Sequence, residues 1–225
     1  SLSLSNMKLN DANLIHFQQA LNKQNSLCNI DFSNNKLTQL RQLFDSVTNN
    51  SIICALSLRH NSLDSEASHS IARLLQSRSS TFYFPPFSPY RNVDTFFKLV
   101  DHIQVIDLSG NKLANRGAKI LLETLRTSKI APLYYLNISD NEIEATGLRA
   151  LPILLSENRI LFLDLSRNPI GDEGAELLCS AISSRSLLFL NLQNCNLSDV
   201  SGAKIATSLQ NQTNLLVALL QNNSF

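Results

Sequence analysis

The side chains in this sequence that could carry out chemistry are few, and their spacing points to recognition. His60 has no second histidine, no cysteine and no carboxylate at metal-ligand spacing, so it is read as an exposed contact residue. The four cysteines, Cys28, Cys54, Cys179 and Cys195, lack both CxxC spacing and the density of a disulfide scaffold, and they read as small buried or half-buried thiols in a reducing compartment. No nucleophile, base and orienter can be assembled from the serines, histidines and acids. The chain is therefore expected to be no enzyme and to use no metal or cofactor. What does recur is contact chemistry: carboxylates at Asp31, Asp107 and Asp164, aromatic rings at Tyr135, Phe162 and Phe189, and cations at Arg59 and Arg167.

The elements that must position these residues follow from a repeat. Between Ile160 and Ile170, apolar residues at Ile160, Leu163, Leu165 and Ile170, with Asn168 between the last two, spell L-x-x-L-x-L-x-x-N-x-L. Aligning the chain on the second residue of each L-x-L pair gives Leu4, Phe32, Leu58, Leu108, Ile138, Leu165, Leu192 and Leu220, at spacings of 28, 26, 50, 30, 27, 27 and 28. Phe82 and Phe84 lie one repeat length beyond Leu56 and Leu58, and Val93, Phe96, Phe97 and Val100 then share a helical face. The gap of 50 is accordingly divided, for about nine repeats in one domain over 1–225, with an irregular Pro- and aromatic-rich copy at 79–102.

Alternating apolar residues in each short strand turn one row inward, and parallel copies pair side by side at about 4.8 Å. The recurring Asn35, Asn61, Asn111, Asn141, Asn168 and Asn223 can satisfy backbone groups at the turn, and stacking makes a ladder of them. Met7, Phe87 and Cys195 depart from it. Helices are expected behind the strands, with inward faces at Leu14–Leu21, Leu40–Val47, Ile71–Leu75, Ile120–Leu125, Leu148–Leu155, Leu177–Ile182 and Ile205–Leu209. Gly117, Gly147 and Gly174 recur four residues past the closing Leu or Ile. Glycine costs a helix about 1 kcal/mol, so its return marks a close approach.

With repeats near 27 or 28 residues and a full helix behind each strand, the chain resembles the leucine-rich repeat proteins, and within them the ribonuclease-inhibitor-like subfamily. The resemblance implies an α/β right-handed solenoid, a horseshoe with parallel strands on the concave face and helices on the convex one. Its members share a scaffold rather than an activity, so function has to come from the surface.

Two outward rows result from the register. The first holds Ser3, Asp31, Ser57, Tyr83, Asp107, Asn137, Asp164, Asn191 and Leu219; the second, two residues earlier, holds Tyr135, Phe162 and Phe189 on successive turns. Aspartate is depleted in strands, so its return calls for a reason, and alternation with Asn keeps carboxylates about 10 Å apart. Stacked aromatics on an open face mark an interaction site. Arg59, His60 and Arg167 add cations farther along the polar face. Pro85, Pro86 and Pro89 stiffen the segment from Tyr83 to Tyr90, whose two tyrosines are expected contacts while Phe82, Phe84 and Phe87 plug the core.

A net charge of +1 argues against nucleic acid and membrane surfaces as partners. No apolar run approaches the roughly 20 residues of a spanning helix. Ser1 opens without a signal peptide and within a strand, and Phe225 closes a repeat with no helix behind it; either more chain or a partner is expected over that edge. The expected function is a protein-binding module, monomeric apart from its partner, that engages a globular protein, such as an enzyme it inhibits or regulates. Its expected location is the cytoplasm, or the host cytosol if it is a secreted bacterial effector. The alternatives are a GTPase-activating protein like the family's Ran-directed members, and the recognition part of a larger immune-sensor-like protein.

Overall fold

The computed structural model describes residues 1–23, 27, 29–48, 55–76, 105–128, 133–157, 159–182, 187–210 and 214–225. Strands β1 (Leu2–Ser3), β2 (Asn29–Asp31), β3 (Ala55–Ser57), β4 (Val105–Asp107), β5 (Leu133–Asn137), β6 (Ile160–Asp164), β7 (Phe189–Asn191) and β8 (Val217–Leu219) form one parallel sheet in chain order. Helices α1 (Asp11–Lys23), α2 (Arg41–Thr48), α3 (Ser65–Gln76), α4 (Ala114–Thr127), α5 (Leu151–Ser156), α6 (Gly171–Ile182) and α7 (Asp199–Gln210) alternate with the strands. A wholly parallel sheet needs crossovers, and each helix supplies one while covering the inner face. The core is a single run of leucines and isoleucines between the layers, from Leu4 through Phe32, Leu58, Leu108, Ile138 and Leu165 to Leu192.

The irregular copy expected at 79–102 lies outside the described residues. Ala55 pairs with Val105, Leu56 with Ile106 and Ser57 with Asp107, so β3 bonds β4 directly, and the described residues contain eight strands. Helix α3 likewise packs on α4. Residues 77–104, including Phe82 to Tyr90, lie outside the described residues, as do Cys28 and Cys54.

The asparagine ladder is realised bond by bond. Asn168 Nδ2 donates to the carbonyls of Ile138 and Leu165 at 2.9 Å each, and its Oδ1 accepts the N–H groups of Asn141 and Ile143 in the preceding repeat. Asn35, Asn61, Asn111, Asn141 and Asn223 repeat this outreach to Leu4, Phe32, Leu58, Leu108 and Leu192. Each such bond contributes about 1 kcal/mol, and losing a partner in a buried turn costs more. Cys195 keeps half of the role: its Sγ donates to Leu165 O at 3.5 Å, whereas Ile170 N–H turns to the carbonyl of Asn168.

The glycine expectation is met most directly at Gly117, where an added Cβ would lie 2.7 Å from Ser68 Oγ on α3, and at Gly147, where it would lie 3.0 Å from Asn115 on α4. At Gly174 the nearest atom is Cβ of Ile170 in its own repeat, at 2.8 Å. The helix expected over Leu148–Leu155 is divided into a 3-10 turn (Ala145–Leu148) and α5, because Pro152 in the first turn of α5 has no N–H to continue the ladder backward.

Candidate protein-interaction face

Among the described residues the register sets the members of the expected rows side by side. Asn29, Ala55, Val105, Tyr135, Phe162, Phe189 and Val217 are successive partners across the sheet, and beside them run Ser3, Asp31, Ser57, Asp107, Asn137, Asp164, Asn191 and Leu219. Side-chain size changes along the first row. Small residues occupy β2 and β3, and large rings begin at β5. The outcome is a hollow of about 540 Å³ over β1 to β4, walled by Tyr134, Tyr135 and Phe162 and also lined by Arg59, Asp31 and Asp107.

The aromatic wall differs in one member from the expected stack. Ring pairing runs from Tyr134 to Phe162, with centroids 4.9 Å apart, and from Phe162 to Phe189 at 6.1 Å and 23° between planes. Tyr135 instead accepts a hydrogen bond on its hydroxyl from Asn137 Nδ2 at 3.1 Å. Sequence reasoning missed Tyr134, although a signal was present: Tyr134, Leu161, Leu188 and Leu216 all stand one residue before the aromatic row. Leu161 and Leu188 are half-buried, and Leu216 is 76% exposed, so a second apolar row borders the first from β5 to β8.

The carboxylate row has an internal reason. Oδ1 of Asp31, Asp107 and Asp164 accepts the backbone N–H of Ser33, Ser109 and Ser166, two residues on, at 2.9, 3.0 and 2.9 Å. Asn137 and Asn191 do the same for Ser139 and Gln193. These bonds close each strand into its turn, which is how an acid comes to be kept in a strand. Burial pushes the Asp31 carboxyl up, but hydrogen bonds from Ser33, Ser3 and Ser57 outweigh it and hold the group below its ordinary value. Burial, with Asp107 and Asp164 nearby, pushes the Tyr135 phenol up to about 12.

His60 and Arg167 also gain a backbone role. Asn6, Asn34, His60, Asp140, Arg167, Asn194 and Asn222 all have positive φ, and Gly110 takes the same position with φ of 65°. The turn before each ladder residue is thus left-handed. That explains its enrichment in Asn, Asp, His and Gly, a local signal legible in the sequence. The His60 imidazole lies over Gly110, where a Cβ would meet Nδ1. Arg59, His60 and Arg167 are exposed. Tyr83 and Tyr90 fall outside the described residues. Among the described residues no group of side chains is arranged to hold a metal ion, and no helix is long and apolar enough to cross a membrane.

A family model described as Leucine Rich repeat matches residues 102–121, 132–151, 160–179 and 183–206, the regular run from β4 to α7. The fold is that of a leucine-rich-repeat solenoid. In it the matched Leu and Asn positions are the buried strand residues and the ladder, and the first three repeats continue the same sheet and ladder outside the matched segments. No curated protein matches the chain. Among solved structures, an internalin (inlF) from Listeria monocytogenes is similar, with 16% identity and a TM-score of 0.47 over 92% of this chain. The solenoid spans half the length of that internalin.

Proposed function

We propose that this solenoid binds a globular protein through its hollowed sheet face, with the aromatic run from Tyr134 through Phe162 to Phe189 as the anchor. The observation that carries the reading is that run: three rings in contact, on the solvent side of a sheet whose other face is already buried, beside a hollow open to a projecting loop. Large aromatics held rigid by their neighbours lose little entropy on binding and dominate interface energetics. Arg59 and Asp107 at the hollow, and Arg167 at its turn edge, then select the partner by charge. A loop seated in the hollow would be masked from solvent, so a partner enzyme whose active site lies on that loop would be inhibited.

This reading extends to the ribonuclease-inhibitor-like form, supported by repeats near 27 or 28 residues with a helix behind each strand. It extends also to a monomer acting in a reducing cytosol, as the unpaired thiols of Cys179 and Cys195 support. The test is a partner captured from lysate and then measured as a purified pair. Phe162→Ala combined with Phe189→Ala should weaken it by about 2–4 kcal/mol with unchanged thermal unfolding. Unchanged affinity would refute the aromatic anchor.

A further inference from the structure

We propose that the hollow takes one basic side chain of the partner, its cationic head on Oδ2 of Asp107 and its stem along Tyr135. The proposal rests on the protein-binding reading above and names the partner's chemistry. Three carboxylates stand in the middle row, and their second oxygens separate them. Oδ2 of Asp31 accepts Ser3 Oγ at 3.2 Å, and Oδ2 of Asp164 accepts Asn191 Nδ2 at 3.0 Å. Asp107 receives both of its hydrogen bonds, from Ser109 N and Oγ, on Oδ1. Among the described residues none donates to its Oδ2. Among the described residues Oδ2 of Asp107 is thus the one oxygen of these three carboxylates that accepts no hydrogen bond, and Asp107 lines the hollow.

Its neighbours favour a cation. Ser57, paired with Asp107 on one side, is small, and Asn137 on the other side has its amide turned to the Tyr135 hydroxyl, so neither fills the space. Among the described residues, the three carboxylates of the middle row outnumber the guanidinium of Arg59 at the hollow and that of Arg167 at the turn edge, which leaves the field along these strands negative. Arg59 stands two residues after the middle row and Tyr135 two residues before it, so the tyrosine side is open to an incoming positive charge. Burial is the largest cause of the raised Tyr135 phenol, and Asp107 and Asp164 add more to it than Arg59 takes away. A partly buried aromatic ring beside a carboxylate holds an ammonium or guanidinium from two directions, by cation–π and by a charge-assisted hydrogen bond.

The test uses a random-peptide phage library selected on the full chain and counter-selected on the Phe162→Ala, Phe189→Ala variant. Selected peptides are resynthesised with each arginine as citrulline and each lysine as norleucine. The expected result is one required basic residue, whose neutral replacement lowers affinity about tenfold against the natural chain and under about twofold against Asp107→Asn. Asp107→Asn should fold, because Asn137 and Asn191 make the same turn bond. Peptides that depend on the aromatic residues but tolerate the neutral replacement would overturn the basic anchor and leave the protein-binding reading standing. A selection in which no peptide distinguishes the natural chain from the aromatic variant would overturn both.

Discussion

Asn191 donates its side-chain amide to Oδ2 of Asp164 at 3.0 Å, from one strand to the next, while Oδ1 of each residue accepts a backbone N–H two positions on. The pair shows why acids alternate with amides on this face: a neighbouring carboxylate could not donate and would add repulsion at about 4.8 Å. Asp164→Ala should lower stability by about 1–3 kcal/mol, by loss of the Ser166 and Asn191 bonds. A double-mutant cycle with Asn191→Ala in urea should return a coupling of at least about 0.5 kcal/mol. Strict additivity would show the cross-strand bond to be idle.

Asp31, whose carboxyl lies below its ordinary value, contributes stability that is fully present above the unfolded carboxylate value near 3.9 and lost as pH falls through the lower folded value. Acid titration of unfolding free energy should therefore steepen below about pH 4, and Asp31→Asn should flatten it there.

At the alkaline end the sign reverses. Tyr135, raised to about 12, favours folding below pH 10 and loses that contribution as pH climbs from 10 towards 12, since the unfolded phenol ionises first. Ultraviolet difference titration should show one of the four tyrosines ionising near 12 in the folded protein. Asp107→Asn should bring that midpoint down.

Ser68 Oγ is buried without a hydrogen-bond partner among the described residues and lies 2.7 Å from where a Cβ at Gly117 would fall. Ser68→Ala should be neutral or stabilising by up to about 1 kcal/mol. Gly117→Ala should cost about 1–3 kcal/mol despite its gain in helix propensity, and combining it with Ser68→Ala should recover a measurable part of that loss in thermal denaturation.

Cys195 stands in the asparagine ladder with its thiol pushed up to about 12 by burial. It should resist thiol reagents until the protein unfolds. Cys195→Asn supplies the missing acceptor and should raise stability by about 1 kcal/mol, whereas Asn168→Ala should cost at least about 3, since two donors and two acceptors are orphaned at once.

The parts legible in the sequence are those that repeat. Strand register, the ladder and the outward rows follow from one alignment, because parallel strands in a solenoid must share a frame. Three matters escaped it for physical reasons. The turn-closing bonds of Asp31, Asp107 and Asp164 were hidden because position alone shows where a side chain stands and says nothing of what it bonds. The local Asp-x-Ser spacing, repeated three times, was the available sign of that inward use. His60 and Arg167 were weighed as charges, while the left-handed turn beneath them became visible only as a column of Asn, Asp, His and Gly. Tyr134 joined the aromatic wall because its ring meets Phe162 across the strand gap, a contact that strict alternation assigns to Tyr135.

Cys195 gives this solenoid a weak seam. Every other described turn from β2 onward is stitched to its predecessor by an amide that both donates and accepts, but between β6 and β7 a thiol stands in its place, with a long 3.5 Å contact to Leu165 O, and Ile170 N–H bonds the carbonyl of Asn168 instead. In a linear array each unit is held only by its neighbours, so opening that begins near Phe225 would run back to this seam and pause there. Amide protons of β7, α7 and β8 would then exchange as one block, ahead of everything from Asn141 to Leu165, and the seam would divide one continuous sheet into two units of cooperative melting.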